Sequence, residues 1–217
     1  MTLTTLRETW GQCLRHHRLI AVLRTDSPEL AITLAELAAQ AGVRLIEITW
    51  NSTQPERVIS HLRQSLPHCW VGTGTVLTPI DLQQALACGS QFCFTPHTNP
   101  LLIEQAVRAN IPIIPGALTP TEIVTAWQAG ASAVKVFPIQ ALGGVTYIQA
   151  LQGPLGSIPL IPTGGVTVQN AAPLIQAGAI AVGLAGQLFP PAWVQSQDWP
   201  AIHQRIQQVV NSLVDPT

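Results

Sequence analysis

Short apolar segments recur along this chain at intervals of about 21 to 25 residues, and this spacing constrains the fold more than any other feature of the sequence. Each segment is four to seven residues long, and most are rich in valine and isoleucine, which is typical of buried β-strands. The eight predicted strands are Leu19–Arg24, Arg44–Trp50, Cys69–Gly72, Gln91–Thr95, Ile111–Pro115, Ala133–Phe137, Ile158–Thr163 and Ala179–Leu184.

The segments between the predicted strands have helical spacing and a helix-forming composition. Residues 1–18 predict an additional helix before the first strand, and residues from about Ala192 onward, including IHQRIQQVVNSLV, predict a final helix. Capping side chains, prolines in the first turn and glycines after the last turn mark the helix ends. The predicted caps are Ser27, Thr119 or Thr121, and Thr167; the prolines are Pro28 and Pro79, and the glycines are Gly42, Gly89, Gly130 and Gly178.

Strands that alternate with helices predict an α/β protein with a parallel sheet. Eight evenly spaced units within 217 residues favour a sheet that closes on itself. We therefore predict one domain over residues 1–217, a single (β/α)8 TIM barrel with an extra N-terminal helix. The alternative is an open, doubly wound sheet, but the GxGxxG fingerprint of many such folds does not follow the first strand here.

The composition excludes several classes of partner. Charged residues make up only 10% of the chain and the formal net charge is -1, so we expect no nucleic-acid partner. No stretch predicts a membrane helix, and charges at Arg7, Glu8 and Arg15 argue against a signal peptide. The four cysteines form no CxxC pair and have no metal-like spacing with histidine. These features predict a soluble, cytoplasmic protein with reduced thiols.

Lys135 is the only lysine in the chain, and it lies within the predicted strand AVKVF. Burial in a strand disfavours the ammonium form and lowers the pKa of the amine. A neutral amine can attack a carbonyl carbon and form a Schiff base. The alternatives are a structural lysine in a buried ion pair, or a lysine that only binds phosphate.

Glu47 is the only acidic residue within the eight predicted strands. A carboxylate beside a neutral amine can deliver protons to a carbinolamine, or take one from the carbon next to an imine. The alternative is that Glu47 only neutralises Lys135. Both roles can hold together, since a shared environment couples the titrations of the two groups.

Glycine-rich segments follow the seventh and eighth predicted strands, where barrel enzymes commonly bind phosphate. Thr163, Gly164 and Gly165 follow the seventh strand, and a loop from Gly183 to Gly186 follows the eighth. Glycine frees the backbone to turn its N–H groups toward an anion. The alternative is that both segments are ordinary glycine turns.

Other residues after the strands are predicted to shape the opening of the barrel at the carboxyl ends of the strands, which we call the mouth. Gly72–Leu77 follows the third strand, Pro96 follows the fourth, and Pro115 and Gly116 follow the fifth. Arg24 ends the first strand and could clamp a carboxylate with two hydrogen bonds. The alternative for Arg24 is an ordinary surface cation.

Six segments, in chain order, resemble the 2-keto-3-deoxy-6-phosphogluconate (KDPG) aldolase family. They are IEITWNS, GTGTVL, FTPH, IPGALTPTE, AVKVFPIQALGG and PTGGV, and the resemblance covers about residues 18–190. The family includes 4-hydroxy-2-oxoglutarate (KHG) aldolase activity and the related 2-keto-3-deoxy-6-phosphogalactonate aldolases. The resemblance implies a class I aldolase, a (β/α)8 barrel that is a homotrimer and uses no metal or other cofactor.

The resemblance also implies a substrate and the residues that act on it. A keto-acid sugar phosphate would be cleaved to pyruvate and glyceraldehyde 3-phosphate, or 4-hydroxy-2-oxoglutarate to pyruvate and glyoxylate. Lys135 would form the Schiff base, and Glu47 would act as general acid and base through a water. The substrate-binding residues would be Arg24, Thr75, Pro96 and Phe137, and the phosphate-binding residues Thr163, Gly164, Gly165, Gly183 and Gly186.

Three positions depart from the gluconate-type pattern. Asn51 stands where many of those members have an arginine, His97 where a glycine is common, and Gln187 where a serine is frequent. IEITWNS together with LIAVLR is more similar to the galactonate-type branch, in which Arg24 would supply the missing positive charge. The sugar acid and the strength of phosphate binding therefore stay open.

Two rival functions remain on the same fold, because fold alone does not settle function. The first is a metal-dependent aldolase or a phosphate-binding isomerase; a metal enzyme would need clustered His, Asp or Glu at the strand ends, and only Glu47 and His97 qualify. A non-catalytic protein that binds a sugar phosphate or keto acid would fit the departures at Asn51 and Gln187. It would bind the anion without turnover and would tolerate the loss of Lys135.

Overall fold

A computed structural model of the chain describes residues 2–213. Met1 and residues 214–217 lie outside the described residues; they are the two ends of the predicted domain and include Val214 of the predicted final helix. The single final helix predicted from about Ala192 onward is two helices, Pro191–Gln195 and Trp199–Leu213, because the chain turns at residues 196–198.

Each segment that was predicted to be a strand overlaps an observed one, and the third observed strand runs from Trp70 to Gly74, beyond the predicted Cys69–Gly72. The fifth is followed, after Pro115, by an additional short strand, Gly116–Ala117. The strands are β1 (Leu19–Leu23), β2 (Leu45–Thr49), β3 (Trp70–Gly74), β4 (Cys93–Phe94), β5 (Ile113–Ile114), β6 (Gly116–Ala117), β7 (Val134–Val136), β8 (Leu160–Pro162) and β9 (Val182–Leu184).

All of these strands pair in parallel and form a curled sheet of two parts. One part has the order β5-β4-β3-β2-β1-β9 and the other the order β6-β7-β8. Only Pro115 separates β5 from β6, and its carbonyl accepts a hydrogen bond from the Lys135 N–H at 2.9 Å. The other two ends of the sheet parts approach each other where Thr163 forms an isolated parallel bridge with Gly183. The prediction of an α/β protein with a parallel sheet is therefore confirmed.

Helices connect the strands. They are α1 (Leu3–His17), α2 (Pro28–Gln40), α3 (Pro55–Ser65), α4 (Pro79–Ala87), α5 (Pro100–Arg108), α6 (Pro120–Gln128), α7 (Val145–Leu155), α8 (Ala171–Gln176), α9 (Pro191–Gln195) and α10 (Trp199–Leu213), with a 3-10 turn at Gln140–Leu142.

The predicted caps are correct for two helices and wrong for one. The Ser27 side chain accepts from the Leu30 N–H, and Thr119 forms a capping box with Glu122. Thr167 is not the cap of α8, which begins only at Ala171. Thr167 instead accepts a hydrogen bond from the Asn170 N–H within the preceding turn, so the chain makes an additional turn before the helix starts.

Alternate strand residues divide between two apolar clusters, as the two faces of a strand require. The outer cluster joins strand residues such as Leu19 and Ala21 to the helices. The inner cluster takes residues from strands all around the sheet, including Ile20 and Leu45, and is covered at one end by Trp10 of α1. The curled sheet thus encloses a core of its own.

The polar candidates lie directly beyond this inner cluster. Residues two positions apart on a strand share a face, and Glu47 follows Leu45 of the inner cluster by two positions. In the same way Lys135 follows Ala133, and Thr163 follows Ile161. The register of the strands therefore directs these side chains into one space at the carboxyl ends of the strands.

Candidate active site

A cavity of about 620 Å³ opens at the carboxyl ends of the strands. The structure brings every site residue predicted from the sequence to its wall. These residues are Arg24, Glu47, Thr75, Pro96, Lys135, Phe137, Thr163, Gly164, Gly165, Gly183 and Gly186. Their roles in chemistry and binding remain predictions, but their convergence follows from the fold.

Lys135 lies at the inner end of this cavity and is only 6% exposed. Its neighbours along β7 are the fully buried Val134 and Val136. The Nζ atom lies 4.8 Å from the centroid of the Phe137 ring, so an aromatic face covers one side of the amine. Burial lowers the pKa of Lys135 below its ordinary value, while the Glu47 carboxylate opposes that effect and Arg24 reinforces it. A larger fraction of this amine is therefore neutral than in an exposed lysine.

Glu47 is the second buried ionisable group of the cavity, 2% exposed on β2. Burial raises the pKa of its carboxyl, and the positive charges of Lys135 and Arg24 lower it again. A carboxyl group that can be protonated closer to neutral pH is suited to proton transfer. Lys135 and Glu47 thus have pKa values shifted toward each other by the same cause, desolvation.

Gly74, at the end of β3, makes room for the Glu47 side chain. A Cβ atom built at position 74 would lie 1.7 Å from Oε1 of Glu47. Sequence reasoning placed Gly74 in a tight turn and missed this contact. No sequence signal could have identified it, because it depends on the register that sets Thr49 beside Gly74 and Glu47 beside Gly72.

Arg24 and Thr75 meet across the mouth of the cavity. Nη2 of Arg24 donates to Oγ1 of Thr75 at 3.3 Å, which directs the guanidinium over the cavity. Thr75 has φ 61°, in the left-handed region that a β-branched residue rarely adopts. Strained backbone of this kind clusters at functional sites, where the surrounding structure holds it in place.

The loop after β8 needs both of its glycines. Gly164 and Gly165 have φ 81° and 90°, and a Cβ at either position would come within 3 Å of Phe137 or Gln140 respectively. The carbonyls of Thr163 and Gly164 accept from the N–H groups of Ile139 and Gln140, which ties this loop to the segment after Lys135. The glycines therefore fix the loop beside the lysine strand.

Several cavity residues were not assigned a role from the sequence. Val22 and Thr49 share strand faces with Arg24 and Glu47, a periodicity that could have predicted them. Gln140 and Thr167 lie in turns, where no periodicity applies. Gln187, noted only as a departure from the family pattern, also lines the cavity.

The other two departures, Asn51 and His97, are exposed and do not belong to the lining of this cavity. The carbonyl of His97 accepts from the Thr95 hydroxyl at 2.6 Å, so it helps to shape the loop that carries Pro96. Within residues 2–213, no group of three or more His, Cys, Asp and Glu side chains is arranged to hold a metal ion. Across the same residues, none of the helices has the length and apolar character that crossing a bilayer requires.

A protein-family model matches most of this chain. The model described as "Aldolase: KDPG and KHG aldolase" matches residues 11–205 of this chain. The match spans the first strand, the lysine strand and the glycine loops.

Individual relatives agree with the family model. The chain is 33% identical over 199 residues to a 2-dehydro-3-deoxy-phosphogluconate aldolase of Haemophilus influenzae, which covers 91% of this chain and 93% of that protein. It is 37% identical over 173 residues to a 2-dehydro-3-deoxy-6-phosphogalactonate aldolase of Escherichia coli, with 79% and 84% covered. A KDPG aldolase from Legionella pneumophila, crystallised with pyruvate as a covalent carbinolamine, superposes with a TM-score of 0.85 at 25% identity, covering 92% of this chain and 97% of that one.

Proposed function

Because this chain belongs to the KDPG and KHG aldolase family, and is therefore a carbon–carbon lyase, we propose that Lys135 is its Schiff-base nucleophile. One observation carries the proposal. The only lysine of the chain is buried, lies at the cavity wall and has a lowered pKa. The substrates are 2-keto-3-deoxy-6-phospho sugar acids of the gluconate or galactonate type, and 4-hydroxy-2-oxoglutarate is a further one.

The reaction begins when the neutral Nζ of Lys135 attacks the C2 ketone. The carbinolamine loses its oxygen as water and becomes a protonated imine, which withdraws electrons from the neighbouring bonds. The C3–C4 bond then breaks: its electron pair forms an enamine, and the C4 hydroxyl gives up its proton as the aldehyde leaves. The enamine takes a proton at C3, and hydrolysis releases pyruvate and restores the amine. The carbinolamine captured with pyruvate in the Legionella pneumophila relative supports the first step.

Glu47 is the group that moves these protons. Its carboxyl is buried in the same cavity as the amine, and its raised pKa lets it hold a proton for the departing water and then accept one back. A water that bridges Glu47 to the substrate completes the transfer.

The carboxylate of the keto acid binds at the mouth. Arg24 supplies the positive charge, since it is the one arginine among the described residues that line the cavity. Thr75 and Pro96 line the pyruvate portion, and the Phe137 ring packs beside the imine. The hydrogen bond from Arg24 to Thr75 supports this assignment, because it fixes the guanidinium over the cavity.

The phosphate binds at the wall formed by the loops after β8 and β9, at Thr163, Gly164, Gly165, Gly183 and Gly186. Oγ1 of Thr163 is buried and has no hydrogen-bond partner within residues 2–213, so it can bond to a substrate oxygen. The left-handed conformations of Gly164 and Gly165 leave their N–H groups uninvolved in regular structure and available to an anion.

The remaining finer expectations concern architecture and assembly. The sheet closes into a (β/α)8 barrel of a single domain, with α1 as an addition; the hydrogen bonds at Pro115 and the Thr163–Gly183 bridge support closure. The protein is a cytoplasmic homotrimer. Its four free cysteines suit a reducing compartment, and exposed leucines and isoleucine offer apolar surface for an interface: Leu77, Ile80, Leu101 and Leu118.

Borohydride reduction in the presence of pyruvate, followed by peptide mass spectrometry, tests the proposal. We expect a reduced pyruvyl adduct on Lys135 in the full chain and none in a Lys135→Met variant. Because the chain has one lysine, an adduct elsewhere could only lie on the N-terminal amine, which peptide mapping separates. The absence of any adduct on the folded protein would overturn the Schiff-base mechanism. Turnover of each phospho sugar acid would then identify the preferred substrate.

A further inference from the structure

Gln187 occupies the last turn of the cavity wall, where the loop after β9 faces the glycines of the loop after β8. Gln187 is exposed, and it lies at the opening of the cavity. A neutral amide at this position could either face the substrate with its carbonyl oxygen or with its NH2 group. Only the NH2 group can donate a hydrogen bond to an anion.

Hydrogen bonds from Arg205 of α10 set the orientation of the Gln187 amide. Nη2 of Arg205 donates to Oε1 of Gln187 at 3.3 Å, and Nε donates to the backbone carbonyl of the same residue. Because an arginine cannot accept a hydrogen bond, it holds the oxygen edge of the amide and leaves Nε2 on the other edge. The guanidinium also lies 5.6 Å from the centroid of the Trp193 ring in α9, a third contact that holds it in place.

This arrangement prepares the amide to bind a negative charge. A guanidinium that donates to the amide oxygen polarises the amide and strengthens its N–H donors. Arg205 itself does not line the cavity, so its positive charge acts on the ligand through Gln187 and through the field across the loop.

We infer that Gln187, positioned by Arg205, donates a hydrogen bond from Nε2 to the phosphate of the substrate and determines the preference for phosphorylated aldehydes. The inference rests on the proposed aldol chemistry only for the identity of the ligand. The comparison with the family pattern suggested that Gln187 weakens phosphate binding. In this proposal its amide instead forms part of the phosphate-binding site. Gln187 is a binding residue, and Arg205 is a positioning residue.

Three variants of the full-length protein separate these roles. Gln187→Met keeps the length of the side chain and removes its donor, Gln187→Glu keeps the contact with Arg205 but presents an acceptor, and Arg205→Met releases the amide. Gln204→Met is the matched control, since Gln204 is an exposed residue next to Arg205 on the same helix. The probes are inorganic phosphate in a calorimetric titration, and glyceraldehyde 3-phosphate and unphosphorylated glyceraldehyde in addition to pyruvate.

Loss of one hydrogen bond to a charged group weakens binding by about tenfold to a hundredfold, so we expect Gln187→Met to raise the Kd of inorganic phosphate by about that factor. We expect kcat/KM for glyceraldehyde 3-phosphate to fall equally, and the value for glyceraldehyde to stay unchanged. Gln187→Glu weakens phosphate binding further, because its carboxylate repels the ligand, and Arg205→Met has a smaller effect in the same direction. Gln204→Met changes none of these values.

Two results would overturn the inference: an unchanged phosphate Kd in Gln187→Met, or equal losses with the two aldehydes, which would indicate a structural defect of the loop. The pyruvate adduct on Lys135 separates this inference from the aldolase mechanism. An adduct together with an unchanged phosphate Kd rejects the role of Gln187 alone. A missing adduct together with a raised phosphate Kd rejects the mechanism and upholds the phosphate contact.

Discussion

The two ends of the curled sheet are formed by the same strands, yet they carry opposite kinds of side chain. At the amino ends of the strands, Trp10 of α1 packs against Phe92, with ring centroids 5.1 Å apart, and both are buried. At the carboxyl ends, the same inward face carries Lys135 and Glu47, whose burial disfavours their charged forms.

Residues that stabilise the fold therefore lie at one end of the strands, and residues that carry the proposed chemistry lie at the other. Burying an aromatic ring removes apolar surface from water and stabilises the folded state. Burying an amine and a carboxyl costs free energy, which the rest of the fold must offset. Substitutions at the amino ends of the strands, which we call the base of the sheet, should therefore change stability more than activity. Substitutions at the mouth, at the carboxyl ends, should change activity more than stability.

The largest effect is expected at Lys135. Lys135→Met keeps the length of the side chain and removes the nucleophile, so aldol cleavage should fall by about 10⁴-fold or more. The substitution removes the desolvation cost of the amine but leaves the buried Glu47 carboxyl without its positive neighbour, so protonation of Glu47 should keep the change in the free energy of unfolding small. Steady-state cleavage and urea unfolding measure the two quantities. A variant that retained near-native turnover, or that lost stability and activity together, would break the separation between the two ends.

The second effect is expected at the base. Trp10→Ala removes a fully buried ring and should lower the free energy of unfolding by about 3–5 kcal/mol, while kcat of the folded protein stays the same. Urea unfolding monitored by circular dichroism measures the loss. Trp10→Phe is the matched control: it keeps a ring, and it removes an indole Nε1 that is buried without a partner among the residues described, so its cost should be smaller. A large fall in kcat for Trp10→Ala would argue against the division.

Gly74 tests the mouth at a residue that carries no functional group. In Gly74→Ala the new Cβ would overlap Oε1 of Glu47, so the carboxyl must move. We expect kcat to fall by about 10²-fold or more, as for a displaced general acid or base, and stability to fall by only about 1–3 kcal/mol. Gly153→Ala is the control, because a Cβ at this position in α7 meets no atom within 4 Å. Equal kcat values for the two variants would contradict the position and role that we assign to the Glu47 carboxyl.

The fold could be predicted from the sequence because its signals are local and repeated. Apolar segments of strand length recur in every unit, prolines at helix starts and glycines after helix ends recur in several of them, and each predicted strand overlaps an observed one. The start of α8 was wrong because Thr167 caps a turn rather than a helix, and the same residue types favour both. The break of the fifth strand at Pro115 is a further local detail that apolar periodicity does not contain.

The candidate site could be predicted where chemistry conflicts with position. A lysine and a glutamate inside apolar strands are conspicuous in the sequence, and strand periodicity sets them on the inward face. Contacts between distant segments could not be predicted in this way. The overlap between Gly74 and Glu47 depends on strand register, and the contact between Arg205 and Gln187 depends on how α10 packs.

Arg24 and Glu47 should shift the titration of Lys135 in opposite directions. The positive charge of Arg24 lowers the pKa of Lys135, so Arg24→Ala should raise it, whereas Glu47 raises that pKa, so Glu47→Gln should lower it. Acetylation of Lys135 by acetic anhydride, followed over pH by mass spectrometry, reports the neutral amine without a carboxylate ligand. The midpoint should move to higher pH in Arg24→Ala and to lower pH in Glu47→Gln. Shifts of the same sign would show that the two charges do not act on the amine as the geometry requires.

The smallest effect is expected at Thr75, where the mouth stores backbone strain. Thr75→Val keeps the β-branched side chain at φ 61° but loses the hydroxyl that accepts from Arg24, whereas Thr75→Gly loses the hydroxyl and relieves the strain. Because the left-handed conformation costs a side-chain-bearing residue about 1–2 kcal/mol, Thr75→Gly should be more stable than Thr75→Val by about 1 kcal/mol after the greater chain entropy of glycine is included. Both variants should raise KM for the keto acid by a similar factor, because both free the guanidinium. Thermal unfolding and cleavage kinetics measure these values, and a Thr75→Gly protein less stable than Thr75→Val would show that the mouth holds Thr75 without strain.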